Sequence, residues 1–214
     1  MNKQNSINVE VLLLCERLEI AQFMHAYLRH LFKQGEHLPN MQIINFQGFD
    51  KLPLLTKKLR LMDGCERVSK AVFIADAADE LEWRMQKFFA VRDNTFFREV
   101  KYCTHFFFPG RKKGRRWRHG FLEDILLEAL YQETSEYSDY YNLYSISEEY
   151  LTMVNNCRGR DNKLLNYNRH FLYTYLAVTD KYVGLRLGEA ALAGAFNLEY
   201  EGFDSLRECL KKLY

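Results

Sequence analysis

VEVLLLCERLEIAQFMHAYLRHL, residues 9–31, decides how the chain is read. Its first part is a short Val- and Leu-rich run closed by Cys15, which suits a strand covered on both faces. The period then changes. Ile20, Met24, Tyr27 and Leu31 recur at spacings of three and four and so fall on one helical face. Gly35 and Pro39 supply stop signals for that helix. A buried strand feeding an amphipathic helix is the opening unit of a parallel α/β sheet.

The same alternation continues outward from this unit. MQIINF (residues 41–46) reads as a second strand, with Gly48 in the turn before a helix over about 50–62 that turns Leu52, Leu55 and Leu59 inward. KAVFIA (70–75) is a third strand, followed by Asp76 and a helix over about 79–91; VKYCTHFFF (100–108) is a fourth. Beyond it the pattern is helical only, broken by one loop, PGRKKGRRWRHG (109–120), and residues 164–214 read as three short amphipathic helices. The predicted fold is therefore α/β, a mainly parallel sheet of four or more strands flanked by helices. Residues 1–130 form the α/β part, and 131–214 form a helical extension packed on the same domain.

Composition agrees with one ordinary domain. The 214 residues are 48% hydrophobic and 15% aromatic with three prolines, enough apolar surface to offset chain entropy, which excludes a wholly disordered chain. Thirty Lys and Arg against twenty-eight Asp and Glu leave +2, so any electrostatic message is local. It lies at residues 109–150. Arg111, Lys112, Lys113, Arg115, Arg116 and Arg118 crowd a Gly-rich loop with Trp117 among them, a composition suited to a phosphate backbone and a stacked base. The next thirty residues carry Glu123, Asp124, Glu128 and further acids with no Lys or Arg, so the alternative readings of the loop are a solvated loop that pairs with these acidic helices, or a docking arm for an acidic protein surface.

Other classes find no support. Five cysteines without a C-x-x-C pair suit neither a zinc ribbon nor a disulfide scaffold and read as reduced thiols. The first apolar stretch is too short for a signal segment or a membrane span, so a cytoplasmic protein without membrane contact is expected. The histidines form no H-E-x-x-H set, and no G-x-x-x-x-G-K-[ST] loop is present. Tyr137, Tyr140, Tyr141 and Tyr144 are spaced for packing rather than nucleophilic catalysis.

Ligands of open parallel sheets collect beyond the carboxyl ends of the strands. Glu16 follows the first strand, Asp50 the second, and Asp76 with Asp79 and Glu80 the third. If these strands are neighbours, Glu16 and Asp76 enter one crevice, where a divalent cation would relieve their repulsion. An aspartate after a strand also serves simply as the N-cap of the next helix, and that reading stands beside the first.

The ordered motifs VLLLCER, NFQGFDKL, FIADAADE and GFLEDILL resemble the Toprim-like superfamily shared by topoisomerases, primases and overcoming-lysogenization-defect nucleases. More closely, the chain resembles the small stand-alone Toprim-like proteins. The resemblance places Glu16 at the motif glutamate, Gly48 at the glycine after the second strand, Asp76 at the first aspartate of Asp-x-Asp, and Glu123 within the later acidic stretch. Cys15 and Arg17 replace the small residues that flank the glutamate, and Ala78 stands where the second aspartate belongs, with Asp79 one position on.

The resemblance implies a nuclease that uses Mg²⁺ or Mn²⁺ on DNA or RNA. Glu16 and Asp76 would be catalytic and would hold the metal with Asp79, and Glu123 would be an additional acid. Residues 111–118 would bind the nucleic acid. It further implies an ABC- or AAA-type ATPase as partner, in the setting of antiphage defence. The competing expectation is a degenerate relative that binds nucleic acid or such an ATPase without cleavage. A module that senses a small molecule or nucleotide in the same crevice is a third.

Overall fold

The computed structural model describes residues 6–32, 40–78, 80–109, 112–113, 116–117, 120–136, 138–158, 164 and 166–213; at 112, 113, 116, 117, 133–136 and 138–141 it describes the backbone alone. Four strands, β1 (Val11–Cys15), β2 (Met41–Asn45), β3 (Lys70–Asp76) and β4 (Tyr102–Phe108), form one sheet in the order β2-β1-β3-β4. Every pair is parallel, with Cys15 beside Asn45 on one side and Ile74 on the other, and Asp76 beside Phe108. The helices α1 (Leu18–Leu31), α2 (Leu52–Arg60) and α3 (Leu81–Asn94) are the crossovers. All four strands and these three helices lie where the sequence pattern puts them, most ends falling within three residues and α1 stopping four residues before Gly35.

The pleat divides the core into two layers. Leu13, Cys15, Val72 and Ile74 pack with Phe23 and Tyr27 of α1, whereas Leu12, Leu14, Phe73 and Ala75 pack with Leu52 of α2 and Phe88 of α3. Leu12, Leu13 and Leu14 are fully buried, each contributing about 1.5–3 kcal/mol. A strand whose every side chain is covered cannot alternate, which is why VLLLC is a continuous apolar run.

The remaining helices are α4 (Leu122–Glu136), α5 (Ser138–Cys157), α6 (Tyr167–Val178), α7 (Leu187–Leu192) and α8 (Asp204–Lys211). Their buried side chains, among them Leu126, Leu151, Phe171, Leu187 and Leu206, join the α1 layer, so the helical extension shares the core of the sheet. The α7 helix meets α1 at Gly188. A Cβ there would stand 2.2 Å from Gln22 Cβ and 2.6 Å from the Gln22 carbonyl carbon, so α7 lies on the α1 backbone only because no side chain intervenes. Among the described residues no helix is long and apolar enough to cross a membrane.

One element departs from the sequence pattern. The basic loop after β4 contains a two-stranded antiparallel ladder, β5 (Lys112–Lys113) with β6 (Arg116–Trp117), pairing Lys112 with Trp117 and Lys113 with Arg116. Two residues per strand are too few for periodicity to reveal, and the high charge masks the hairpin.

Candidate functional site

The sheet order makes the crevice. The chain runs from β1 outward to β2, then crosses back to β3 on the other side of β1, so the crossovers part between the carboxyl ends of β1 and β3. Glu16 follows β1 and Asp76 ends β3 at that point. They meet directly, the Asp76 N–H donating to Glu16 Oε2 at 3.2 Å. Glu123, in the first turn of α4, completes the cluster. The three carboxylates are 8%, 2% and 0% exposed for Glu16, Asp76 and Glu123, burial that ionised groups withstand only with partners.

The partners are arginines. Arg17 grips Glu123 with two parallel hydrogen bonds, 3.0 Å to Oε1 and 2.8 Å to Oε2. Its Nε lies 2.7 Å from Asp76 Oδ2, a charge contact without hydrogen-bond alignment. Arg84 of α3 donates to both oxygens of Glu16 at 2.6 and 2.7 Å. Asp76 Oδ1 accepts from the Leu122 N–H at 2.8 Å, so this aspartate caps α4 rather than the helix that follows it in sequence. On the outer side Arg169 pairs with Glu19 at 3.1 Å and stands 4.0 Å from Glu123 Oε1.

The pleat explains which arginine meets which acid. Glu16 continues the phase of Leu12 and Leu14, toward the layer of α3, while Asp76 continues the phase of Val72 and Ile74, toward α1 and α4. Burial pushes the Asp76 carboxyl up to about 7; the Arg17 charge and the Leu122 N–H oppose this, and Glu123 and Glu16 add to it. For Arg17, burial works against the charged form, but the hydrogen bonds and charges of Glu123 and Asp76 outweigh it and raise its pKa. The guanidinium is a permanent cation between two acids.

This arrangement bears on Mg²⁺ or Mn²⁺. Each of the six carboxylate oxygens of Glu16, Asp76 and Glu123 already faces an N–H or a guanidinium nitrogen. A hard divalent ion needs several free oxygens, and here it would have to displace Arg17 and stand against Arg84. As arranged, the residues do not fit a resident divalent metal. Among the described residues no group of three or more His, Cys, Asp or Glu is placed to hold one. Glu16 and Asp76 therefore meet in one crevice and Glu123 joins them, but as the acidic half of an arginine network rather than as an open ligand set. Asp79 lies outside the described residues.

The basic arm rises from the same lip. It leaves β4 at Phe108, beside Asp76, and returns at Gly120, whose carbonyl accepts the N–H groups of Ala77 and Ala78 at 3.1 Å each. Ala78 itself holds φ +47, in the left-handed region. The backbone at Lys112, Lys113, Arg116 and Trp117 forms the β5–β6 hairpin, and Arg111, Arg115 and Arg118 lie outside the described residues. Asp50 is set apart, exposed beside α2.

The arginines are what sequence reasoning missed. Arg17 is the N-cap of α1 and Arg84 sits in the first turn of α3, both at the positive end of a helix where a cation is unfavourable. A cation at that position hints at a carboxylate partner, but which carboxylate it serves is set by the fold and not by the sequence pattern. Compared with known proteins, the chain matches no family model, no curated protein and no solved structure.

Proposed function

We propose that this chain is a Toprim-like domain that binds nucleic acid through its basic hairpin and does not cut it. Arg17 and Arg84 supply at the lip the positive charge that a metal supplies in a nuclease of that type. The observation that carries the reading is Arg17 between Asp76 and Glu123, with two hydrogen bonds to one and a 2.7 Å charge contact to the other. Ala78, in place of a second motif aspartate, points the same way. The hairpin supports the binding half. Six Lys and Arg fall within residues 111–118, on an arm whose two ends are tied to the carboxyl end of β3. The partner class implied by the resemblance, an ABC- or AAA-type ATPase, belongs to the same proposal.

A second reading, a Mg²⁺- or Mn²⁺-dependent nuclease, is favoured by the convergence of Glu16, Asp76 and Glu123 on one lip. It requires both arginines to swing away. One experiment separates the two. Labelled single- and double-stranded DNA and tRNA are incubated with the chain in Mg²⁺ or Mn²⁺, and binding and cleavage are both recorded, with Glu16→Ala and a chelator as controls. Binding without cleavage, unaffected by Glu16→Ala, is expected. Replacing Lys112, Lys113, Arg115 and Arg116 by Gln is expected to weaken binding to every sequence and to flatten the salt dependence by about 0.7–0.9 logarithmic units per lost phosphate contact. Metal-dependent cleavage that Glu16→Ala abolishes would establish the nuclease instead, and no binding at all would remove both.

A further inference from the structure

On the face of the sheet opposite α1, helices α2 and α3 leave between them a cavity of about 510 Å³, within the usual range for small-molecule sites. None of the carboxylates or arginines of the acidic lip lines it. Its apolar lining comes from Phe49, Val91 and Phe96, all buried. Its neutral polar groups are already engaged: the Thr56 hydroxyl donates to the Pro53 carbonyl at 2.9 Å, the Asn94 amide to the Ala90 carbonyl at 2.8 Å, and the Thr95 hydroxyl accepts from Phe97 N–H. Two of its three cations are free of ion pairs and ring contacts among the described residues. Lys57 and Arg60 of α2 line the opening, exposed and without an ion-pair partner among the described residues. Lys87 of α3 stands across from them with its ammonium over the Trp83 ring at 5.3 Å. Asp50 is the one carboxylate of the lining, so positive charge is in excess.

We propose that this cavity binds a small organic phosphate carrying a flat aromatic body. The phosphate lies against Lys57, Arg60 and Lys87, and the ring covers Phe49, Val91 and Phe96. Several convergent cations, one of them a guanidinium fork, suit a dianionic phosphate better than a single carboxylate. A floor built from two aromatic rings and a valine suits a planar apolar body better than a sugar alone. A nucleoside monophosphate and an aryl phosphate share this chemistry. Phe49 is also the ring under Arg84, 5.5 Å from its guanidinium carbon, so the cavity and the acidic lip share a wall.

The test is titration of the full chain, by calorimetry and amide NMR, with AMP, phenyl phosphate, adenosine and inorganic phosphate. Saturable binding of AMP or phenyl phosphate, with shifts centred on α2 and α3, is expected, and AMP alone binding would identify the nucleotide as the source. Adenosine and inorganic phosphate should each bind at least about tenfold more weakly than AMP, since each lacks half of the interaction. The surface pair Lys57→Gln and Arg60→Gln, which leaves the core untouched, should weaken binding by about tenfold or more at unchanged melting temperature. Ala90→Phe, which fills the cavity from an exposed position on α3, should abolish it. No saturable binding of either ester, adenosine binding as well as AMP, or binding indifferent to both variants would each overturn the proposal.

Discussion

Replacing Arg17 by methionine keeps much of its volume and removes its charge, leaving Glu123 without its bidentate partner and Asp76 without its counter-charge. Removing one member of a buried ion pair costs about 3–5 kcal/mol, because the charge left behind stays desolvated. Two local features reduce the figure here. Asp76, already pushed up to about 7 by burial, can take up a proton, and Arg169 stands 4.0 Å from Glu123 and can move closer. The expected loss is about 2–4 kcal/mol, or about 5–15 °C in melting temperature for a chain of this size. Urea denaturation at neutral pH measures it. The deficit should shrink as the pH falls and the stranded acids protonate. The double variant Arg17→Met, Glu123→Gln should recover part of the loss, since a neutral pair leaves no charge uncompensated. A stability for Arg17→Met within about 0.5 kcal/mol of the parent would refute this reasoning, because a change that small is what an exposed site gives.

Further expectations concern the same lip and its supports. Asp76 holds its proton to about 7 in the folded chain against about 4 when unfolded. Its contribution is thus full below about pH 4 and lost as pH rises through about 7. Asp76→Asn should therefore gain on the parent as pH rises over that window; denaturant midpoints at several pH values would show it, and a constant gap would contradict it. Arg84→Ala strips the two guanidinium hydrogen bonds from Glu16, leaving only the one from the Asp76 N–H, and should cost about 2–4 kcal/mol by the same assay, with nucleic-acid binding unchanged. Gly188→Ala forces a Cβ into the Gln22 backbone and should cost about 2–3 kcal/mol in thermal melting. Ala78→Gly relieves a left-handed alanine and should stabilise by about 0.5–1 kcal/mol in urea denaturation, and a loss of stability would contradict it.

The sheet was legible because burial on both faces writes itself into the sequence as runs such as VLLLC and AVFIA, and the crossover helices write a second period between them. The convergence of Glu16 and Asp76 was legible for the same reason: once β1 and β3 are neighbours, their carboxyl ends share a crevice. The identity of the cation was not. Arg17 is adjacent to Glu16 in sequence yet serves Asp76 and Glu123, and Arg84 reaches Glu16 from a helix 68 residues away. Pairings of that kind depend on helix rotation and on which face of the pleat each acid occupies, neither of which composition or spacing encodes. The hairpin was hidden by its shortness, and the cavity between α2 and α3 by the fact that its lining comes from two separate helices and the turns flanking them.

Titration of Mn²⁺ into the unmodified chain at neutral pH, with free ion followed by electron paramagnetic resonance, addresses the replacement of metal by arginine most directly. With Arg17 and Arg84 in place, no stoichiometric binding is expected. One equivalent of tightly held Mn²⁺, lost on Glu123→Gln, would contradict it.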